Sequence, residues 1–250
     1  KLFTEKTEKV IPYIPAGFPK LDSTQELVLA AVDAGADMVE IGMPFSDPLA
    51  DGPVIQEASQ VALKNGINLK LILKQVKEIR INTQIPLVLM GYINPILKYG
   101  QSQFIEDCKS SGVDGLIIPD LPPEEADSLV NVCRKSGVSL ILLVAPNTSN
   151  KRIEYISNLA GNLIYCVSIL GITGSGLSGQ SALSDYLKRV KKYSKTPFIV
   201  GFGITTRKDV QFINTLSDGA VVGSSLIRKI QNAEKTLETV KNYIIELKGT

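Results

Sequence analysis

The sequence predicts an α/β fold, a (β/α)8 TIM barrel, as a single domain over residues 1–250 with residues 1–9 as an N-terminal extension. Three observations predict it. Eight short apolar runs recur along the chain, amphipathic helix-period segments lie between them, and a weak internal repeat returns after a little over one hundred residues. The length agrees, since such barrels run to about 250 residues as one domain. A doubly wound sheet needs fewer strands and shows no half-repeat.

The runs are Val10–Ile14, Met38–Ile41, Pro86–Met90, Gly115–Ile118, Val138–Val144, Leu163–Val167, Phe198–Val200 and Ala220–Val222. Most are apolar on both faces, as strands of a fully covered parallel sheet must be. Between them, Leu27, Ala30, Ala31 and Ala34 form an apolar stripe at helical spacing. So do Leu69, Ile72, Leu73 and Val76; Ala126, Leu129, Val130 and Cys133; and, near the C-terminus, Leu237, Val240, Ile244 and Leu247. Gly35, Gly112 and Gly137 each precede a run and supply the left-handed cap that stops a helix. The repeat matches Phe104-Ile105 and Gly112–Gly115 to Phe212-Ile213 and Ser217–Gly219, and Ile85–Val88 to Thr196–Ile199. That offset is four βα units, half of an eight-unit barrel.

Composition narrows the chemistry. The chain has no histidine, so a Ser-His-Asp triad, a Cys-His pair and an imidazole metal site are excluded. Acid–base work falls to carboxylates, Tyr, Lys or Cys. With 27 Lys+Arg against 25 Asp+Glu, the net charge of +2 supplies no basic excess for nucleic acid. Cys108, Cys133 and Cys166 are widely spaced and never form C-x-x-C, which reads as reduced thiols of a cytoplasmic protein and not as a metal site. No apolar run reaches membrane-span length, and the charged Lys1–Lys9 stretch lacks the apolar core of a signal peptide.

In this fold the site lies where the strands end. Glycines cluster after the last three runs, in Gly171–Gly179, Gly201-Phe202-Gly203 and Gly223-Ser224-Ser225. They read as ordinary turn glycines or as backbone that approaches a phosphate closely, and loops after the last two strands are a frequent phosphate site. Gly174–Gly179 matches G-x-G-x-x-G literally, but no acidic residue ends the following strand. It reads as a flexible active-site lid. Glu40 stands inside the second run, where burial would raise its pKa and make it a general acid, unless it faces outward to pair with a helix. On their own, Asp47 and Asp51 read as N-capping or turn-making residues, and Asp120 as helix-start architecture.

The segment Val39–Pro53, with Gly171–Gly174 and Gly201–Ile204 at matching order and spacing, resembles the signature of the tryptophan synthase alpha subunit family over essentially the whole chain. The resemblance implies a lyase that cleaves indole-3-glycerol phosphate to indole and glyceraldehyde 3-phosphate. It implies Glu40 as the acid–base residue, Asp51 on the indole N–H and Tyr165 at the site. It implies indole contacts from Tyr13, Ile55, Met90, Tyr92, Ile117 and Phe202, a lid residue in Thr173, and a phosphate cradle of Gly174, Gly203, Gly223 and Ser224. No metal is implied. Pyridoxal phosphate is implied only in a partner beta subunit of an alpha2beta2 heterotetramer, docked on Met43–Asp51 and Pro95–Lys98. Many family members carry an Arg after the lid Thr-Gly. Here Ser175–Gly179 stands instead, from which poorer closure of the free chain is expected. The alternatives are a stand-alone lyase, another phosphate-binding barrel enzyme of tryptophan biosynthesis, or a regulatory barrel. Of those barrel enzymes, an indole-glycerol-phosphate synthase would call for a lysine acid at a strand end, and none is apparent.

Overall fold

The computed structural model describes residues 2–5, 7–168, 176–201 and 203–249, of which 176–179 are described by backbone alone. Eight parallel strands close a barrel in sequence order: β1 (Val10–Pro15), β2 (Val39–Gly42), β3 (Leu87–Met90), β4 (Gly115–Ile117), β5 (Ser139–Val144), β6 (Ile164–Val167), β7 (Phe198–Gly201) and β8 (Ala220–Val222). β8 returns to β1 with Val10 opposite Ala220. Every expected run coincides with a strand to within one residue at either end. Nearly every strand position is buried, because the inner residues fill the barrel and the outer ones meet helices.

The helices are α1 (Ser23–Asp33), α2 (Pro53–Lys64), α3 (Leu69–Asn82), α4 (Ile93–Tyr99), α5 (Gln101–Ser111), α6 (Asp127–Ser136), α7 (Asn150–Ala160), α8 (Gly176–Tyr193), α9 (Arg207–Leu216), α10 (Ser224–Gln231) and α11 (Thr236–Lys248). The stripes of α1, α3 and α6 pack on the barrel as their spacing requires. One stripe is shorter than expected. Leu237 is exposed in the first turn of α11, and Val240, Tyr243, Ile244 and Leu247 make the buried face. The segment 176–179, the C-terminal part of the expected lid, forms the first turn of α8, and the rest of that lid, 171–175, lies outside the described residues. Leu183, Tyr186, Leu187 and Val190 anchor that helix to the core, and propagation costs less than nucleation even through glycine.

The repeat has a physical basis at the bottom of the barrel. Asp37, Asp114 and Asp218 each stand just before a strand and accept the backbone N–H that opens the preceding strand: Val10 at 2.8 Å, Leu87 at 2.8 Å and Phe198 at 2.9 Å. Each also donates its own N–H to the carbonyl of the same residue. Asp114 and Asp218 are four units apart, as are the helices carrying Phe104-Ile105 and Phe212-Ile213. The carboxylate clamps a strand start whose N–H lies outside the regular ladder.

Register then decides which residues reach the site. Tyr13 lies opposite Glu40, Glu40 opposite Val88, Leu143 opposite Tyr165 and Tyr165 opposite Ile199. Alternate residues therefore face the interior, and those nearest the C-terminal strand ends line one cavity.

Candidate active site

That cavity has a volume of about 650 Å³. Its floor is made by Tyr13 of β1, Glu40 of β2, Met90 of β3, Leu143 of β5 and Tyr165 of β6. Both tyrosines lean over a neighbouring glycine. A Cβ on Gly42 would collide with the Tyr13 hydroxyl, and one on Gly201 with the Tyr165 hydroxyl. The two glycines are thus the space in which the two rings lie.

Glu40 is wholly buried, and neither carboxyl oxygen has a hydrogen-bond partner among the described residues. Burial, reinforced by the nearby Asp51, pushes its pKa up to about 8, so the group is a neutral acid at pH 7. Asp51 reaches the same cavity from the β2–α2 connection. Its N–H donates to Pro48 O at 3.0 Å, and Gln56 Nε2 donates to its carbonyl at 2.9 Å. Gly52, in extended conformation, precedes Pro53 at the start of α2, so Asp51 is not a helix cap. Burial raises the Asp51 carboxyl to about 6, opposed by a hydrogen bond from Tyr92. Two carboxyl groups share one cavity with their pKa values pushed apart, which is how one site holds an acid and an anion together. Burial also raises Tyr13 and Tyr165 well above the usual phenol range, which keeps both as neutral O–H groups.

Tyr92 lies behind this wall and is not among the cavity-lining residues. Its hydroxyl accepts the Ala50 N–H at 3.0 Å and donates to Asp51, and its ring packs on Phe45 with centroids 5.3 Å apart. Ile117 is buried on the interior register of β4 but likewise does not line the cavity. Ile55, on the first turn of α2, does.

A further wall comes from the ends of β7 and β8. Gly203, with φ of 78°, Ile204 and Thr205 follow β7, and Gly223 caps α10 ahead of Ser224 and Ser225. Ser225 Oγ donates to Ile204 O at 3.0 Å, and Tyr243 Oη donates to Thr205 O at 2.7 Å, which fixes the β7 loop against α10 and α11. The first backbone N–H groups of α10 have no acceptor within the helix, and its dipole favours an anion.

The structure therefore brings together Tyr13, Glu40, Asp51, Ile55, Met90, Tyr165, Gly203, Gly223 and Ser224. Thr173, Gly174 and Phe202 lie outside the described residues. Reading the sequence missed Leu143, Val167, Ser168, Thr205, Ser225 and Arg228 as lining residues. Strand parity would have found Val167 from Tyr165, and helical spacing would have found Arg228 from Ser224. Asp47, exposed and bonded to Ser46 Oγ at 2.5 Å, is turn architecture. Asp120 accepts the Ile93 N–H at 2.9 Å and so secures the start of α4, a neighbouring helix. Among the described residues no group of three or more His, Cys, Asp or Glu is arranged to hold a metal ion.

A family model described as tryptophan synthase alpha chain matches residues 1–249. The tryptophan synthase alpha chain of Petrotoga mobilis is 44% identical over 248 residues, covering 98% of this chain and 96% of that one. The tryptophan synthase of Saccharomyces cerevisiae is 42% identical over 244 residues, which is 96% of this chain but 34% of that protein. Among solved structures, the tryptophan synthase subunit alpha of Legionella pneumophila superposes with a TM-score of 0.91 at 36% identity, covering 98% of this chain and 92% of that one. The tryptophan synthase complex of Pyrococcus furiosus matches with a TM-score of 0.88 at 36% identity, covering 97% of this chain and 98% of the matched one.

Proposed function

The chain belongs to the tryptophan synthase alpha chain family, and from that premise we propose that its cavity cleaves indole-3-glycerol phosphate to indole and glyceraldehyde 3-phosphate. The observation that carries the residue roles is Glu40: an unpartnered, fully buried carboxyl that keeps its proton at neutral pH, in one cavity with Asp51.

The chemistry divides between the two carboxyl groups. The Glu40 carboxylic acid gives its proton to indole C3, which leaves positive charge on the ring nitrogen. The Asp51 carboxylate accepts the ring N–H and stabilises that charge. The bond from C3 to the glycerol side chain then breaks. Its electron pair restores the aromatic ring, the side-chain hydroxyl becomes the aldehyde, and its proton returns to the Glu40 carboxylate. Tyr13, Ile55, Met90 and Tyr165 hold the ring, and Tyr92 fixes Asp51 from behind. The phosphate sits against Gly203, Gly223 and Ser224, where a helix start meets left-handed backbone.

The same reading supplies a partner, a beta subunit that carries its own pyridoxal phosphate and takes the indole. The loops expected to dock expose Leu49 and Leu97, two large apolar side chains on the catalytic face. Between those loops runs a groove of about 900 Å³, with Pro44, Phe45, Asn94, Pro95 and Lys98 on its walls. This favours a docked chain over a stand-alone lyase. A cytoplasmic location fits three buried, free cysteines.

Indole release from indole-3-glycerol phosphate by wild type, Glu40→Gln and Asp51→Asn tests the assignment. Loss of roughly 10²- to 10⁴-fold in each variant is expected for groups that act in proton transfer and charge stabilisation. Near-normal turnover by Glu40→Gln refutes the role given to it.

A further inference from the structure

The cavity is bipolar. Glu40 and Asp51 line it on the β2 side, and Arg228 of α10 is the one cationic residue among the described residues that line it. Arg228 stands four residues after Ser224, on the same helix face. Helical side chains lean toward the helix N-terminus, so this one leans over the turn that opens with Ser224.

The arginine is also uncommitted. Arg80 pairs with Asp114, Arg152 with Glu124 and Arg207 with Glu8. Arg134 donates to Leu159 O, and Arg189 to the carbonyls of Pro146 and Thr148. Among the described residues nothing accepts from the Arg228 guanidinium, and its hydrogen bonds are left for something that enters the cavity.

We infer that Arg228 is a specificity-determining residue that recognises the phosphoryl dianion of the substrate. The inference rests on the reading given above. The α10 backbone fixes where the phosphate sits, and the guanidinium adds a charge that an uncharged alcohol could not use. A planar fork suits two phosphoryl oxygens. It makes the phosphate end cationic and leaves the indole end acidic, which orients a ligand carrying a dianion at one end and an N–H donor at the other.

The test uses the full chain as wild type, Arg228→Gln and Arg228→Lys. Kinetics with indole-3-glycerol phosphate are joined to calorimetric binding of glycerol 3-phosphate and of indole. Arg228→Gln is expected to raise KM and the glycerol 3-phosphate Kd about tenfold, with kcat and indole binding within twofold of wild type. Arg228→Lys, which keeps the charge but not the fork, should recover part of the loss, and added salt should raise the wild-type Kd more than that of Arg228→Gln. Glycerol 3-phosphate and KM values within twofold of wild type in Arg228→Gln overturn the inference. An equal loss of indole binding also overturns it, because it marks a structural role. If wild type releases no indole, the reading of the reaction fails, while the glycerol 3-phosphate arm still decides on Arg228.

Discussion

The Tyr92 hydroxyl ties Asp51 to the end of β3: it donates to the Asp51 carboxylate while accepting the N–H of the preceding residue, Ala50, at 3.0 Å. A single side chain thus holds both the backbone and the charge of the β2–α2 connection. It does so from a buried position outside the cavity.

Removing that hydroxyl isolates its effect on Asp51. Tyr92→Phe keeps the ring against Phe45 but withdraws a hydrogen bond that holds the Asp51 pKa down. A hydrogen bond to a charged group contributes roughly 1.5–3 kcal/mol, so kcat/KM for indole release should fall about tenfold or more. The acid limb of the pH profile should move to higher pH. A parallel loss at all pH values, with no displacement of that limb, would assign Tyr92 to packing alone.

Wild type should give a bell-shaped profile of kcat/KM. Activity rises as the Asp51 carboxyl ionises, near pH 6, and falls as the Glu40 acid loses its proton, near pH 8. The two groups influence each other, so the limbs belong to the pair as apparent values. In Glu40→Gln the residual activity should lose the alkaline limb.

Stability should carry the Glu40 signature independently of substrate. Its folded pKa of about 8 lies above the ordinary 4.5, so below about pH 4.5 both folded and unfolded forms hold the proton and nothing is lost. As pH rises from there toward 8, the unfolded state releases the proton first and the native state loses stability, by up to roughly 1.4 kcal/mol per pH unit. Above 8 the loss is complete. Glu40→Gln does not titrate and should gain on wild type across that window. Urea denaturation at pH 4, 6 and 8 measures the difference; a constant gap would contradict a raised Glu40 pKa.

The pairing of Tyr13 with Gly42 predicts a compensating substitution. Gly42→Ala places a methyl group into the Tyr13 hydroxyl, which should cost about 1–3 kcal/mol as an overpacked core and impair catalysis by displacing the ring. Tyr13→Phe removes the nearest atom, so the double variant should be more stable than Gly42→Ala alone. Thermal denaturation of the two single variants and the double variant reads this directly, and strict additivity would sink it.

Much of the architecture is legible in the sequence. Runs such as Val138–Val144 are apolar on both faces, and only strands covered inside and out need that. Gly112 and Gly137 mark helix ends because they take positive φ, and both do. Glu40 is conspicuous as a lone carboxylate in an apolar run, and the structure turns it inward into one cavity with Tyr165. The Leu237 expectation failed because its outcome depended on neighbouring elements: the first turn of α11 meets solvent.

The sequence by itself determined the eight-unit barrel, because it follows from local periodicity. It singled out Glu40 by polarity while leaving open whether that carboxyl faces inward or outward; barrel closure and register turned it inward. Only the tertiary structure put the Asp51 side chain into the cavity. A carboxylate in a proline-flanked loop is a turn residue until the loop folds over the cavity and Tyr92 of another strand end fixes it there. It also moved Tyr92 from the cavity wall to the support behind it, and it brought Arg228 of the eighth unit into one cavity with Glu40 of the second. Those relationships join residues far apart in sequence, and barrel closure and strand register set them.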